Sequence, residues 1–171
     1  MVMDAPKTLL IVYHSMTGGT QQMAEAACAG AQAEAQGSGV KVRLLRAAEA
    51  GPDDVLAADG YLFATPENLA AISGQLKDFF DRSYYAALDR LNGRPYAILI
   101  CAGSDGSNAA KQVARIATGW RLKAVAEPFI VCTHAQTTEA ILAPKRIGAE
   151  DLGHCRALGE ALAAGLAMGV F

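Results

Sequence analysis

Residues 8–14 read TLLIVYH, an unbroken apolar run of the kind that forms a strand buried on both faces. Two further runs of this type follow, YLFAT within 60–65 and YAILIC at 96–101. Longer stretches with helical spacing separate them. Residues 20–36 are dense in small side chains and end in a Gly37-Ser38-Gly39 turn, and Pro52 opens a short helix over 52–57. The strongest helical pattern covers 73–91, where Ile72, Leu76, Phe79, Phe80, Leu88 and Leu91 recur at three- and four-residue spacing until Gly93 and Pro95 stop it. Residues 40–46 alternate like a strand near a sheet edge, and 124–133, holding EPFIVCT, reads as a last strand. Helices over 109–117 and beyond Gly148 complete the pattern, the latter with Leu152, Cys155, Leu158, Leu162 and Leu166 on one face.

Five strands, each followed by a helix, describe an α/β chain with a parallel sheet covered by helices on both faces. Right-handed crossovers leave few topologies for such a chain. The five-stranded order 2-1-3-4-5 is one common solution, and it holds ligands at the carboxyl ends of the strands where the order reverses. With 171 residues, no internal repeat and no linker, residues 1–171 read as one domain.

Composition excludes several classes. Apolar residues make up 52% and charged residues 19%, which is not a disordered composition. The formal net charge of −2 offers no general attraction for nucleic acid or for an acidic membrane surface. Cys28, Cys101, Cys132 and Cys155 lack metal-ligand spacing and read as small buried hydrophobes in a reducing compartment. Residues 1–7 are polar and contain Pro6, unlike a signal peptide, and the alanine-rich tail over 157–170 is too short to cross a bilayer. A cytoplasmic protein without membrane insertion is expected.

Three loops follow successive strands. The first, Ser15-Met16-Thr17-Gly18-Gly19-Thr20, alternates hydroxyls and carries two glycines before a helix. Backbone N–H groups, hydroxyls and the positive end of a helix dipole together make an anion cradle. The plain alternative is a turn that only caps the helix. No Lys or Arg lies between His14 and Glu34, so a phosphate here is expected to be held by neutral dipoles alone. A P-loop would need Lys after Gly19, where Thr20 stands, and no GxGxxG is present. The second loop, Thr65-Pro66-Glu67-Asn68-Leu69-Ala70-Ala71-Ile72-Ser73-Gly74, joins the third strand to the long helix, with Ser73 suited to cap it. The third, Ala102-Gly103-Ser104-Asp105-Gly106-Ser107-Asn108, is a turn-forming cluster after the fourth strand.

The S-x-T-G-x-T pattern carried by Ser15, Thr17, Gly18 and Thr20 directly after the first strand resembles the FMN-phosphate loop of the flavodoxins. Pro66-Glu67, Ile72, Gly74, Leu76-Lys77 and Asp81 resemble the NADPH-dependent FMN reductases. Thr65-Pro66 with Ser73-Gly74-Gln75 is similar to the NAD(P)H:quinone oxidoreductases of the tryptophan-repressor-binding-protein type. The resemblance implies a flavodoxin-like three-layer sandwich of order 2-1-3-4-5 with FMN as cofactor and NAD(P)H as co-substrate. By it, Ser15, Met16, Thr17, Gly18, Gly19 and Thr20 wrap the phosphate. Pro66, Glu67, Asn68, Leu69, Ala70, Ala71 and Ile72 lie along the pyrimidine edge and N5 region of the ring. Ala102, Gly103, Ser104, Asp105 and Gly106 pass its other edge and the ribityl chain.

Neither ring-facing loop contains an aromatic residue, whereas flavodoxins that shuttle single electrons usually sandwich the ring with Trp or Tyr. An open ring face suits nicotinamide and then a quinone. The expected function is hydride transfer from NAD(P)H through FMN to a quinone or flavin, with no obligatory protein acid or base. The alternative is an electron-transfer flavodoxin, a one-electron FMN carrier without NAD(P)H activity. His134, just after the last strand, is the candidate proton donor to a quinone oxygen, against a plain solvent-facing role. Tyr84 and Tyr85 are expected in packing or a dimer interface. Trp120 is expected to pack where the fourth helix ends or to line a neighbour's flavin pocket. A homodimer is expected by analogy.

Overall fold

In the computed structural model, which describes residues 4–171, the first apolar run forms β1 (Thr8–Tyr13), buried from Leu9 to Tyr13. The reading of residues 1–7 lies partly outside the described residues. β1 pairs with β2 (Lys41–Arg46) on one side and β3 (Gly60–Asn68) on the other. β3 continues the sheet to β5 (Pro95–Ala102), which carries β6 (Lys123–Ala124) and β7 (Phe129–Cys132) on its far side. All these pairings are parallel. The order β2-β1-β3-β5-β6 is the expected 2-1-3-4-5, with β5 as the fourth long strand.

Alternate residues of the strands feed two cores. Leu9, Ile11, Leu62 and Leu99 pack under α1 (Gly19–Ser38) and α6 (Ala149–Met168). Leu10, Val12, Phe63 and Ile98 pack under α2 (Pro52–Ala57), α3 (Gly74–Ala87) and α4 (Ser107–Gly119). Trp120 is buried in this second core, T-shaped against Phe80 at 5.3 Å between ring centroids, so it packs and does not serve a neighbour's pocket. α1 and α6 touch through glycines. A side chain at Gly30 would meet the backbone of Arg156, and one at Gly159 would meet the backbone of Ala27.

Four departures from the sequence reading have local causes. The last strand is split: Ala124 pairs with Tyr96 and Phe129 with Leu99, so residues 125–128 bulge opposite 97–98. Pro128 cannot donate to the ladder there. The second loop is not irregular. β3 runs on to Asn68 and turns through Leu69 (φ 51°) and Ala70 (φ 61°) into an antiparallel β4 (Ala71–Ile72). α3 stops at Ala87, because Leu88 leaves the helix and Asp89 (φ 55°) starts a turn tied to Arg121 by an ion pair at 3.0 Å. A five-residue helix, α5 (Thr138–Leu142), lies in the polar stretch before α6 and is capped by Thr137, whose hydroxyl accepts the Ala140 N–H. Tyr84 and Tyr85 are exposed and belong to neither core. Among the described residues no helix is long and apolar enough to cross a membrane.

Candidate active site

The strand carboxyl ends of β1, β3, β5 and β7 open into a cavity of about 460 Å³, within the range of small-molecule sites. Its first wall is the loop after β1. Gly18 caps α1 at φ 92°, a conformation that favours glycine, and its N–H donates to Ser15 Oγ at 3.1 Å. Gly19 sits close against β5: a Cβ there would stand 2.7 Å from Cys101 Sγ, which would have to shift to admit it. Thr20 is 2% exposed, lines the cavity, and its Oγ1 has no hydrogen-bond partner among the described residues. A buried hydroxyl left in this state is a donor waiting for an acceptor.

The second wall is the β3–β4 hairpin, through Pro66, Glu67, Asn68 and Leu69. α4 holds it from behind. Asn108 Nδ2 donates to Ala70 O, and the Ile72 N–H donates to Gln112 Oε1 at 2.8 Å. Ser73 caps α3, its Oγ accepting the Leu76 N–H, while its own N–H donates to Thr65 Oγ1. Glu67 Oε2 is buried without a partner among the described residues. The third wall is Ala102, Gly103 and Ser104 after β5.

The cavity does not use every residue expected of it. Gly18 is the α1 cap, Ala70 and Ala71 belong to the hairpin, and none of the three lines the cavity. Ile72 is buried in the α3/α4 core. Asp105 is exposed, its carboxylate accepting from Ser107, and Gly106 caps α4 at φ 82° against Ile130. His134 is exposed and absent from the lining. Its backbone N–H donates to Gly103 O at 2.8 Å, and a positive φ of 60° turns the chain there. The structure does not bring it to the cavity.

A fourth wall, unforeseen in the sequence, comes from the chain after β7: Thr133, Ala135, Ile141, Leu142 and Lys145. It corrects the expectation of a cation-free loop, since Lys145 Nζ stands 3.3 Å from Thr17 Oγ1. The only local hint was a lysine in the polar stretch before α6, and tertiary contact alone joins it to a loop 128 residues earlier. Cys101, a β5 residue, also lines the cavity; burial pushes its thiol up to about 11 despite the opposing pull of Lys145. The Cys132 thiol is raised by burial and by the Glu67 and Asp105 carboxylates. His14, at the foot of the first loop, is lowered by burial and by Arg46. Met16, Leu69, Ile141 and Leu142 form an exposed apolar rim. No cluster of metal-ligating side chains occurs among the described residues.

Residues 47–137 match the family model described as NADPH-dependent FMN reductase. The first loop and Lys145 lie outside the matched span. A flavodoxin of Aquifex aeolicus (strain VF5) is 40% identical over 73 residues, 43% of this chain and 38% of that protein. An NAD(P)H dehydrogenase (quinone) of Acidithiobacillus ferrooxidans (strain ATCC 53993 / BNL-5-31) is 34% identical over 95 residues, 44% of this chain and 46% of that protein. The matched part therefore spans less than half the length of either curated relative. Among solved structures, a flavodoxin from the domain Archaea superposes with a TM-score of 0.74 at 18% identity, covering 93% of this chain and 98% of that one, a likeness of fold.

Proposed function

Because this chain belongs to the NADPH-dependent FMN reductase family, we propose that it passes hydride from NAD(P)H, by way of FMN in the cavity described above, to a small quinone or flavin. The observation that carries this reading is a lining without a single aromatic side chain. With no aromatic side chain to cover it, a flavin ring held there would leave a face for a second planar molecule. The chemistry the flavin supplies when bound is two-electron exchange between the nicotinamide and the acceptor.

The residues present fit that group. The unpartnered Thr20 hydroxyl, the Thr17 hydroxyl and the first N–H groups of α1 suit the phosphate. Pro66, Glu67, Asn68 and Leu69 on one side and Ala102, Gly103 and Ser104 on the other suit the ring and ribityl chain. Glu67 Oε2 is a free acceptor for a ring N–H. Met16, Leu69, Ile141 and Leu142 give an apolar acceptor a surface to lie on, and their exposed area would leave water when one binds. No side chain is assigned as acid or base: the proton that an acceptor would take up besides the hydride can come from solvent at the open cavity, and the lining would contribute orientation above all.

The second reading, a one-electron carrier without NAD(P)H activity, is supported by the 40% identical flavodoxin segment. Anaerobic titration of the FMN-loaded protein separates the two. One equivalent of NADH or NADPH is expected to bleach the visible flavin band. A band unchanged by either nicotinamide, in protein that chemical reductants do bleach, overturns the reductase in favour of the carrier.

A further inference from the structure

Lys145 belongs to the segment between α5 and α6, yet it is tied to the first loop by main chain and side chain alike. Its N–H donates to Thr17 O at 2.8 Å. Gln22, on the first turn of α1, bridges the two segments. Its Nε2 donates to Lys145 O (2.7 Å) and Gly18 O (2.9 Å), and its Oε1 accepts the Ile147 N–H (3.0 Å). The ammonium is therefore delivered to a set position. Its three acceptors are Thr17 Oγ1 (3.3 Å), Ile141 O (2.8 Å) and Ala143 O (2.6 Å), all neutral. No carboxylate pairs with Lys145 among the described residues. An uncompensated positive charge thus lines a cavity beside a hydroxyl loop that has no cation of its own and one buried orphan donor, Thr20 Oγ1.

Resting on the reading of this cavity as an FMN site, we propose that Lys145 is the counter-charge for the cofactor's phosphate and is what makes the site prefer FMN to riboflavin. Neutral donors give a phosphate dianion hydrogen bonds but leave its charge uncompensated, and a hydrogen bond to an ionised partner is about twice as strong as a neutral one. Lysine can redirect one of its three rotatable protons without moving its stem. The exchange is cheap, because Ile141 and Ala143 are exposed and their carbonyls can accept from water instead. Gln22 acts as the positioning residue, holding the segment of Lys145 against Gly18.

The test is flavin binding by the apoprotein, followed by quenching of flavin fluorescence with FMN and with riboflavin in parallel. Lys145→Met is expected to weaken FMN by about ten- to hundred-fold and to leave riboflavin unchanged, so that the preference between them collapses. Lys145→Arg is expected to retain most of the preference, and added salt to weaken FMN binding less in Lys145→Met than in wild type. Riboflavin binding reports that the variant is folded. Equal losses for the two flavins, or an unchanged FMN affinity, overturn the proposal. So does an unchanged FMN affinity with a raised KM for NADPH but not NADH, which would assign the charge to the dinucleotide's phosphate. Wild-type protein that binds neither flavin overturns the FMN reading of the cavity itself, and the role of Lys145 with it.

Discussion

Thr20 holds a hydroxyl that is buried and unpartnered, a condition that costs about 1–3 kcal/mol. Valine has nearly the same shape without the polar atom. Thr20→Val is therefore expected to raise the stability of the flavin-free protein by about 1 kcal/mol, read as a higher urea midpoint. The same change is expected to weaken FMN by about 1.5–3 kcal/mol, the worth of a hydrogen bond to a charged group. A variant that is less stable and binds FMN unchanged would make Thr20 a packing residue. The first loop's pattern was legible in the sequence because hydroxyls, glycines and a helix start are residue types that a short stretch specifies by itself, and the structure places Ser15, Thr17 and Thr20 on the cavity wall. Lys145 was not, because nothing in the residues around it reveals that Gln22 draws it to Thr17.

Elements were legible where one force dominated and illegible where two competed. The buried strands β1, β3 and β5 follow from unbroken apolar runs, and α2 begins at the proline that marks it. The β3–β4 hairpin was hidden. Its turn places Leu69 and Ala70 at positive φ, where Gly or Asn would have been the signal, and it persists because Asn108 and Gln112 of α4 hold it. The small residues of α1 have their explanation in α6. Gly159 lies against the backbone of Ala27, with no flexible side chain to move aside. Gly159→Ala is expected to force these helices apart and destabilise the protein by about 3 kcal/mol, seen as a melting temperature lower by roughly 6–12 °C. An unchanged melting temperature would mean that the helix pair slides freely, against the close contact observed.

At the scale of the whole molecule, the two-sided burial of a parallel sheet also governs how the protein responds to base. Burial pushes the Cys155 thiol up to about 12 and the Cys101 thiol up to about 11, from an ordinary value of 9.0. The folded chain keeps these protons after the unfolded chain begins to lose them, so their contribution to stability is complete below about pH 9 and is lost as pH rises toward the folded values. Denaturant midpoints are expected to hold steady from neutral pH to about pH 9 and then to fall. A variant carrying Cys101→Ala and Cys155→Ala is expected to show a shallower fall from its own neutral value. Profiles that fall in parallel would place the alkaline sensitivity in other groups.

By itself, the sequence determined the layered α/β architecture and a phosphate-cradle pattern at the first loop, because these depend on apolar periodicity and on residue types within short windows; the strand order came only with the family resemblance of the loop motifs, and the structure bears it out. Tertiary structure alone decided that β3 turns back on itself beside the cavity and that Ile141, Leu142 and Lys145 close a fourth wall. It also left His134, which its position just after the last strand had made a candidate, outside the cavity lining. The physical reason is the range of the interactions. Periodicity and capping act over a few residues, whereas the charge at the first loop comes from a side chain 128 positions away, held there by hydrogen bonds that only the folded sheet brings into reach.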